Sequence, residues 1–381
     1  MSKIKNIIKY SINIPIWILS KIIKPNENIW VFGAWFGSKY ADNSKYLFEY
    51  VCRNHPQIKA VWLSNNEETL KLVKRKGYKA YKTYSLKGYL CTLSAKYGFV
   101  STGFYDINIF ACANMKMINL WHGIPLKKIM QDDNITRIAA DDNSLYQRAK
   151  KFFFPFSFNN YYASIAPSET VCKIYQSAFK NLTEKIELIG QPRCDAFYAP
   201  AAKTPFTEKL LNLKQNNKIG IYMPTHRREG RCNFSEFLSY ELDNLNEKMK
   251  ENNVILLIKL HYYHLKEIEL QNNKYSNIIF IQDEEIEQDI YSILPLTDFL
   301  ITDYSSIFFD YLHLNKPVIF FAFDKDDYLK NERAFYFDYE EIICGEKAGS
   351  FDELYSKISL VSKGIDNFAE KRRKKNNKIK K

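Results

Sequence analysis

The sequence predicts an α/β protein made of two Rossmann-like domains. Three observations support this fold class: short apolar runs recur along the chain, each run leads through a turn into a helical pattern, and one polar stretch at residues 201–217 interrupts the alternation. Strands that alternate with helices are typical of βαβ units and parallel sheets. The 381 residues are enough for two domains of ordinary size, each with its own core.

The predicted strands divide into two groups on either side of the polar stretch. The first group lies at residues 28–32, 60–63, 97–100, 115–120, 162–166 and 186–189. The second group lies at residues 218–223, 253–260, 277–281, 298–302 and 317–321. We therefore predict an N-terminal domain at 26–200 and a C-terminal domain at 201–365. Two such domains facing each other across a cleft form the architecture called GT-B among glycosyltransferases.

The first 25 residues alternate lysines with isoleucine, tryptophan and leucine. Asn13, Pro15 and Ser20 interrupt a stretch that is already short for a transmembrane helix. No small-residue cleavage site follows, as a signal peptide would require. We interpret residues 1–25 as a segment that associates with a membrane surface. The alternative is a first helix that packs on the fold.

The carboxyl-terminal residues 366–381 are strongly basic. Eight of the last eleven residues are Lys or Arg, within a chain of net charge +12. Such a run is too polar to build a core, so it is either a solvated tail or a contact with anionic lipid or nucleic acid. Each basic side chain near an anionic bilayer contributes about 1 kcal/mol. We predict a peripheral protein on the cytoplasmic face of the cell membrane, with an anionic membrane surface and no nucleic acid as its partner.

The sequence disfavours several kinds of chemistry. Its seven cysteines are dispersed without a C-x-x-C spacing, which argues against a disulfide framework and a zinc site and favours a reducing cytoplasm. His261 and His264 have no nearby carboxylate or cysteine that would complete a metal site. A glycine-rich P-loop and a G-x-G-x-x-G motif are both absent, which disfavours NTP hydrolysis and NAD chemistry. We predict neither a metal nor a cofactor.

Residues that could bind a diphosphate follow three predicted strands of the C-terminal domain. They are Thr225, Arg227, His261, Asp303, Ser305 and Ser306. In open parallel sheets, ligands bind at the carboxyl ends of the strands. Ser305 and Ser306 precede a helical pattern, and a helix start both accepts a serine cap and attracts phosphate. Capping alone would explain the serines, but with Arg227 and His261 at the same edge we favour a diphosphate site.

The N-terminal domain has its own candidate at a strand end. His122 follows the strand predicted at 115–120 and precedes a Gly-Ile-Pro turn, which would hold it rigidly. An imidazole with a pKa near 6.5 can take a proton from an attacking hydroxyl. A structural histidine is the alternative. Lys127 and Lys128 nearby could bind an anionic acceptor or face water.

Five separated motifs resemble, in order and spacing, those of the CDP-glycerol glycerophosphotransferases of teichoic acid synthesis. The motifs are WHGIPLK at residues 121–127, GQPRCD at 190–195, PTHR at 224–227, LHY at 260–262 and TDYSSIFFDY at 302–311. RAFYFD at 333–338 is similar to the family's Arg-Gly-Phe-Tyr-Phe-Asp. The sequence departs from the family at Ile124, where Thr is frequent, at His226, where an aromatic residue is common, and at Ala334, where Gly is usual.

The resemblance implies a GT-B enzyme that takes glycerol phosphate from CDP-glycerol, or ribitol phosphate from CDP-ribitol, and releases CMP. The implied acceptor is a hydroxyl of a lipid-linked saccharide or of a growing polymer. His122 matches the family's proposed base, and His261 matches its donor-phosphate histidine. The motifs that surround the CDP contain Thr225, Arg227, Asp303, Ser305, Ser306 and Arg333. The alternatives are a GT-B glycosyltransferase that uses a nucleotide sugar and a non-enzymatic membrane- or nucleic-acid-binding protein.

Overall fold

A computed structural model describes residues 3–133, 148, 152, 154–225, 234–260, 274–331 and 334–379. The chain forms two compact units. The first unit contains Met1–His122 and Ile129–Asp195, and the second contains Gly123–Lys128 and Ala196–Lys381. The main division therefore follows residue 195, compared with the predicted boundary after residue 200. Gly123–Lys128 was predicted in the N-terminal domain, but its contacts place it in the second unit.

The first unit contains a seven-stranded sheet in which all the described pairings are parallel. Its strands are β1 (Asn26–Phe32), β2 (Lys59–Ser64), β3 (Ala80–Lys82), β4 (Ala95–Val100), β5 (Lys116–Asn119), β6 (Ala163–Ala166) and β7 (Ile186–Leu188), in the order β3-β2-β1-β4-β5-β6-β7. Its helices are α1 (Lys3–Ile22), α2 (Asp42–Asn54), α3 (Glu67–Arg75), α4 (Leu86–Ser94) and α5 (Glu169–Ala178).

The second unit contains a six-stranded sheet, again with parallel pairings. Its strands are β8 (Lys218–Tyr222), β9 (Val254–Ile258), β10 (Ile278–Phe280), β11 (Phe299–Thr302), β12 (Val318–Phe321) and β13 (Glu346–Ala348), in the order β10-β9-β8-β11-β12-β13. Its helices are α6 (Pro205–Leu213), α7 (Phe234–Glu251), α8 (Ile307–Tyr311), α9 (Lys325–Asn331), α10 (Tyr339–Ile342), α11 (Phe351–Ser362) and α12 (Ala369–Ile379).

Both sheets have the strand order of a Rossmann fold. The order reverses between β1 and β4 in the first sheet and between β8 and β11 in the second. In such sheets the crevice at the carboxyl ends of the two strands beside the reversal is the usual ligand site. Every predicted strand is present in the structure. The apolar runs predicted them well because a strand buried on both faces is apolar along its whole length, as β9, β11 and β12 are. The prediction missed β3 and β13, two three-residue strands that each contain a lysine.

Helix α1 combines a packed face with an open one. Trp17 lies in the core of the first unit, and the Tyr89 hydroxyl donates a 2.6 Å hydrogen bond to Asn13 Oδ1. On the other side, a row of large apolar residues is exposed: Ile12, Ile18, Leu19 and Ile22. We call this row the open face of α1. None of the described helices is long and apolar enough to cross a bilayer.

The basic carboxyl-terminal run forms helix α12, which packs on the second unit. Arg372 is fully buried, where its guanidinium pairs with Asp366 and donates a hydrogen bond to the Asn315 carbonyl at 3.2 Å. Ile379 is also buried. A buried cation is tolerated when it is paired and hydrogen-bonded in this way. The expectation that this run is too polar to pack is therefore wrong at these two positions, although Lys371, Arg373, Lys374 and Lys378 are exposed.

Candidate active site

His122 lies just beyond the carboxyl end of β5 and is partly buried. Its Nδ1 atom lies 2.9 Å from the main-chain carbonyl oxygen of Ser101. Because a carbonyl oxygen only accepts hydrogen bonds, the proton of the neutral imidazole resides on Nδ1. The other nitrogen, Nε2, then carries the lone pair. The contact with Ser101 therefore selects the tautomer in which Nε2 can act as a base.

The surroundings of His122 keep the imidazole neutral. Burial lowers the pKa of His122, whereas the charge of Asp42 and the hydrogen bond to Ser101 act in the opposite direction. The positive charge of Arg193 lowers the pKa further. An imidazole with a pKa below its usual value is unprotonated at neutral pH and is ready to accept a proton.

Asn43 holds the main chain that leads into His122. Its side-chain amide donates hydrogen bonds to the carbonyl oxygens of Leu120 at 3.0 Å and Trp121 at 2.8 Å. Its Oδ1 accepts a hydrogen bond from the main-chain N–H of Arg193 at 3.1 Å. Asn43 is fully buried, so water does not compete for these bonds. The peptide groups immediately before the imidazole are therefore fixed by a residue of α2.

A buried ion pair lies beside Asn43. The Arg193 guanidinium contacts Asp42 Oδ1 at 2.8 Å, and both side chains are almost completely excluded from solvent. Asp42 also accepts a hydrogen bond from the N–H of Asn43 at 2.8 Å and has a left-handed φ of 66°. A buried charge is stable only while its partner remains, so the two residues depend on one another.

Asp106 joins two loops at the carboxyl edge of the first sheet. This fully buried carboxylate accepts hydrogen bonds from the N–H groups of Ser101 and Thr102, after β4, and of Phe36, after β1. Burial raises the pKa of Asp106, and these hydrogen bonds oppose the shift. Gly33 is required here, because a Cβ atom at this position would lie 2.1 Å from the Asp106 carbonyl oxygen.

Asp303 has a similar place at the carboxyl edge of the second sheet. It is fully buried and accepts hydrogen bonds from the N–H of Thr225, after β8, at 2.9 and 3.1 Å and from the N–H of Tyr304 at 2.6 Å. The structure therefore brings the predicted residues Thr225 and Asp303 together. Since the carboxylate of Asp303 is buried and bonded to main-chain donors, it positions the Thr225 loop.

Ser305 and Ser306 follow Asp303 at the same edge and are half-buried. Ser305 Oγ accepts a 3.4 Å hydrogen bond from the N–H of Ile307, whereas the Ser306 side chain caps no helical N–H. Helix α8 has only five residues, so it adds little dipole to any phosphate contact here. The serine hydroxyls are thus placed as predicted at the strand end, but the helix behind them is shorter than a phosphate-binding helix start requires.

Lys127 and Lys128 lie in the second unit, beside the predicted 333–338 motif. Lys127 forms an antiparallel bridge with Phe335, and the N–H of Lys128 donates a 2.7 Å hydrogen bond to the Ala334 carbonyl. The Lys127 ammonium lies 5.0 Å from the centre of the Tyr328 ring. The prediction placed both lysines in the N-terminal domain, and these backbone contacts show otherwise. Their role in acceptor binding stays a prediction.

Residues 17–381 match the protein family described as CDP-Glycerol:Poly(glycerophosphate) glycerophosphotransferase. The chain belongs to this family. The resemblance inferred from the motifs is therefore confirmed, and with it the assignment to the transferases.

Known relatives act in teichoic acid synthesis, according to their names. The chain is 28% identical over 386 residues to the teichoic acid glycerol-phosphate transferase of Staphylococcus aureus (strain NCTC 8325 / PS 47), which covers 97% of this chain and 92% of that protein. It is 30% identical over 327 residues to the teichoic acid poly(glycerol phosphate) polymerase of Staphylococcus epidermidis, covering 83% of this chain. The match spans only 43% of that polymerase's length.

A solved structure supports the predicted fold class. The wall teichoic acid polymerase TagF is 25% identical to this chain and superposes with a TM-score of 0.73, covering 99% of this chain and 90% of that chain. The predicted GT-B class, with two Rossmann-like domains, is confirmed.

Arg227, His261 and Arg333 lie outside the described residues, so their donor-binding roles stay predictions. Conversely, the motifs and strand ends did not point to Asp42, Asn43, Ser101 or Asp106, which the structure places around His122. Only Asp42 and Asn43 could have been found from the sequence, because they belong to a polar Asp-Asn-Ser run at 42–44 that begins a helix. Across the described residues, no group of three His, Cys, Asp or Glu side chains could hold a metal ion.

Proposed function

We propose that this chain transfers glycerol phosphate, or ribitol phosphate, from a CDP-activated donor to an acceptor hydroxyl and releases CMP. The acceptor is a membrane-linked saccharide or a polyol-phosphate polymer. Family membership supports the reaction class. The observation that carries the proposal is the hydrogen bond between His122 Nδ1 and the Ser101 carbonyl, which leaves Nε2 as a base at a strand end.

In the proposed reaction, His122 Nε2 takes the proton of the acceptor hydroxyl. The acceptor oxygen forms a bond to the phosphorus that carries the polyol, and the bond from that phosphorus to the CMP oxygen breaks. CMP leaves with the bonding electron pair. Such transfers depend mainly on positioning and on stabilisation of charge. Asp42 favours the imidazolium that forms when His122 accepts the proton, because its charge raises the pKa of His122.

The second unit supplies the proposed donor site. Ser305 and Ser306 offer hydroxyl groups at the carboxyl edge of the sheet, and Asp303 holds the main chain of the Thr225 loop in place. The motif resemblance adds Arg227, His261 and Arg333 as cationic groups for the diphosphate. Cations and hydrogen-bond donors aimed at the leaving CMP would stabilise its developing charge.

We also propose that the protein works as a peripheral protein on the cytoplasmic face of the cell membrane. The open face of α1 carries four large apolar residues, and Lys21 and Lys24 beside it are exposed. The exposed lysines of α12 add positive charge that would attract anionic lipid. Replacing Ile18 and Leu19 by serine should reduce co-sedimentation with anionic vesicles. Equal binding by the variant and the unchanged protein would contradict this role of α1.

Purified protein incubated with CDP-glycerol and CDP-ribitol in turn, with and without a membrane acceptor, tests the reaction. We expect CMP release that depends on the acceptor and falls about 10²- to 10⁴-fold in His122→Ala. Acceptor-dependent transfer from a nucleotide sugar instead, or full activity of the variant, would overturn the proposal. The comparison of the two donors identifies the polyol.

A further inference from the structure

The loop after β1 holds two consecutive aromatic residues in an unusual backbone conformation. Trp35 has a φ of 51° and Phe36 has a φ of 56°, both in the left-handed region. Bulky residues rarely adopt this conformation, and each instance costs of the order of 1–3 kcal/mol. Backbone strain of this kind persists only where the surrounding structure imposes it, and it is concentrated at functional sites.

Hydrogen bonds on both sides of the loop impose this conformation. The N–H of Phe36 donates to Asp106 Oδ1 at 2.7 Å and to Thr102 Oγ1 at 3.3 Å. The carbonyl oxygen of the next residue, Gly37, accepts hydrogen bonds from Ser64 Oγ and from the N–H of Asn65, each at 2.7 Å. The loop is therefore tied to the ends of β4 and β2, the two strands that flank β1 in the sheet, and its main chain is held in place.

Both aromatic residues follow β1 at the carboxyl edge of the first sheet, the edge at which His122 also lies. The Trp35 ring centre is 5.8 Å from that of His122, and the Lys39 ammonium is 5.8 Å from the Trp35 ring. The Phe36 side chain, next along the chain, is 62% exposed. An exposed aromatic ring alone is unremarkable on a protein surface. Here the half-buried Trp35 ring lies beside His122, and Phe36, the next residue of the same strained loop, exposes a second ring to solvent.

We propose that Trp35 and Phe36 form an acceptor subsite that stacks against a sugar ring. This inference rests on the proposed function and specifies its acceptor as a saccharide. The face of an aromatic ring is electronegative, and it attracts the weakly positive C–H face of a pyranose. A glycerol-phosphate chain offers no such face, and its negative charge is repelled by the ring. Lys39 is placed to interact with a phosphate attached to the sugar.

The test compares two soluble acceptors: an alkyl disaccharide glycoside and a glycerol-phosphate oligomer without a sugar. Phe36→Asn removes the ring while keeping a residue that tolerates the left-handed conformation. We expect the KM for the glycoside to rise about three- to tenfold, with kcat little changed and the oligomer KM unaffected. If Phe36→Asn folds poorly, Phe36→Leu takes its place. This variant keeps apolar bulk without an aromatic face, so the same rise in the glycoside KM is expected. Phe36→Tyr should retain the wild-type KM.

Tyr50→Ala is the matched control. Tyr50 is another exposed aromatic residue of the first unit, near the far end of α2, so its removal should change neither KM. An unchanged glycoside KM in Phe36→Asn and Phe36→Leu, or an equal rise in KM for both acceptors, would overturn the inference without contradicting the transfer reaction. Transfer by the wild type to the oligomer alone would also overturn it. Absence of transfer to either acceptor would contradict the proposed function, and this inference with it.

Discussion

Removing the side chain of Asn43 should impair catalysis without touching the base itself. Asn43→Ala deletes the hydrogen bonds donated to the carbonyl oxygens of Leu120 and Trp121 and the one accepted from the N–H of Arg193. The first two bonds fix the peptide groups directly before His122. Without them, the imidazole is free to move relative to the acceptor hydroxyl.

The magnitude follows from the number and burial of these bonds. Each contributes about 0.5–1.5 kcal/mol, and the buried carbonyl oxygens left unpaired add to the loss, so the free energy of unfolding should fall by roughly 2–4 kcal/mol. A displacement of a catalytic group by about 1 Å can cost about a hundredfold in rate. We therefore expect kcat to fall roughly ten- to a hundredfold. This loss is smaller than the loss expected from deleting His122, because the base is still present.

The assay measures acceptor-dependent CMP release and thermal unfolding on the same preparations. Asn54→Ala is the control from the same helix, because Asn54 donates a single exposed hydrogen bond to the Tyr50 carbonyl at 2.9 Å. This control should change stability by less than about 0.5 kcal/mol and leave kcat within about twofold. If Asn43→Ala unfolds at a lower temperature but keeps the wild-type kcat, the residue supports the fold only, and its positioning role is refuted.

Three further predictions concern the same two sheet edges. Because burial lowers the pKa of His122, protonation of Nε2 has its midpoint below the ordinary value of about 6.5. The value of kcat/KM should therefore be flat near neutrality and fall with an acid midpoint below 6.5, and a midpoint above 6.5 would contradict the assignment. Arg193→Met leaves Asp42 as an unpaired buried charge, so the free energy of unfolding should fall by about 3–5 kcal/mol. In thermal denaturation, adding Asp42→Asn to this variant should restore part of the lost stability. Asp303→Asn weakens the hydrogen bonds that hold the Thr225 loop, so the KM for CDP-glycerol should rise about tenfold. An unchanged KM would show that Asp303 does not support the donor site.

Local patterns were sufficient for the strands and for the residues at their ends. A strand buried on both faces must be apolar over its length. The polar residue that follows it lies at the edge of the sheet, whichever strands are its neighbours. This is why His122, Thr225, Asp303 and the two serines could be placed from the sequence. Short edge strands such as β13 escaped prediction because they need little burial.

The sequence alone left the two termini ambiguous. The pattern in residues 1–25 is compatible with a packed helix and with a membrane-facing one, and α1 has both a packed face and an open face. In α12, one arginine of a basic run is buried because Asp366 and the Asn315 carbonyl meet it there. The partners that neutralise this charge cannot be read from the run itself.

Local sequence patterns and motifs were enough to predict the fold class, the family and the position of the base at a strand end. The folded structure was needed to identify the groups that orient this base, because Asn43 is 78 residues from Trp121 and 150 residues from Arg193 along the chain. The folded structure also shows that Gly123–Lys128, directly after His122, belongs to the second unit. Hydrophobic periodicity records which face of an element is buried, but partners so distant in sequence meet only when the strands have been ordered into a sheet.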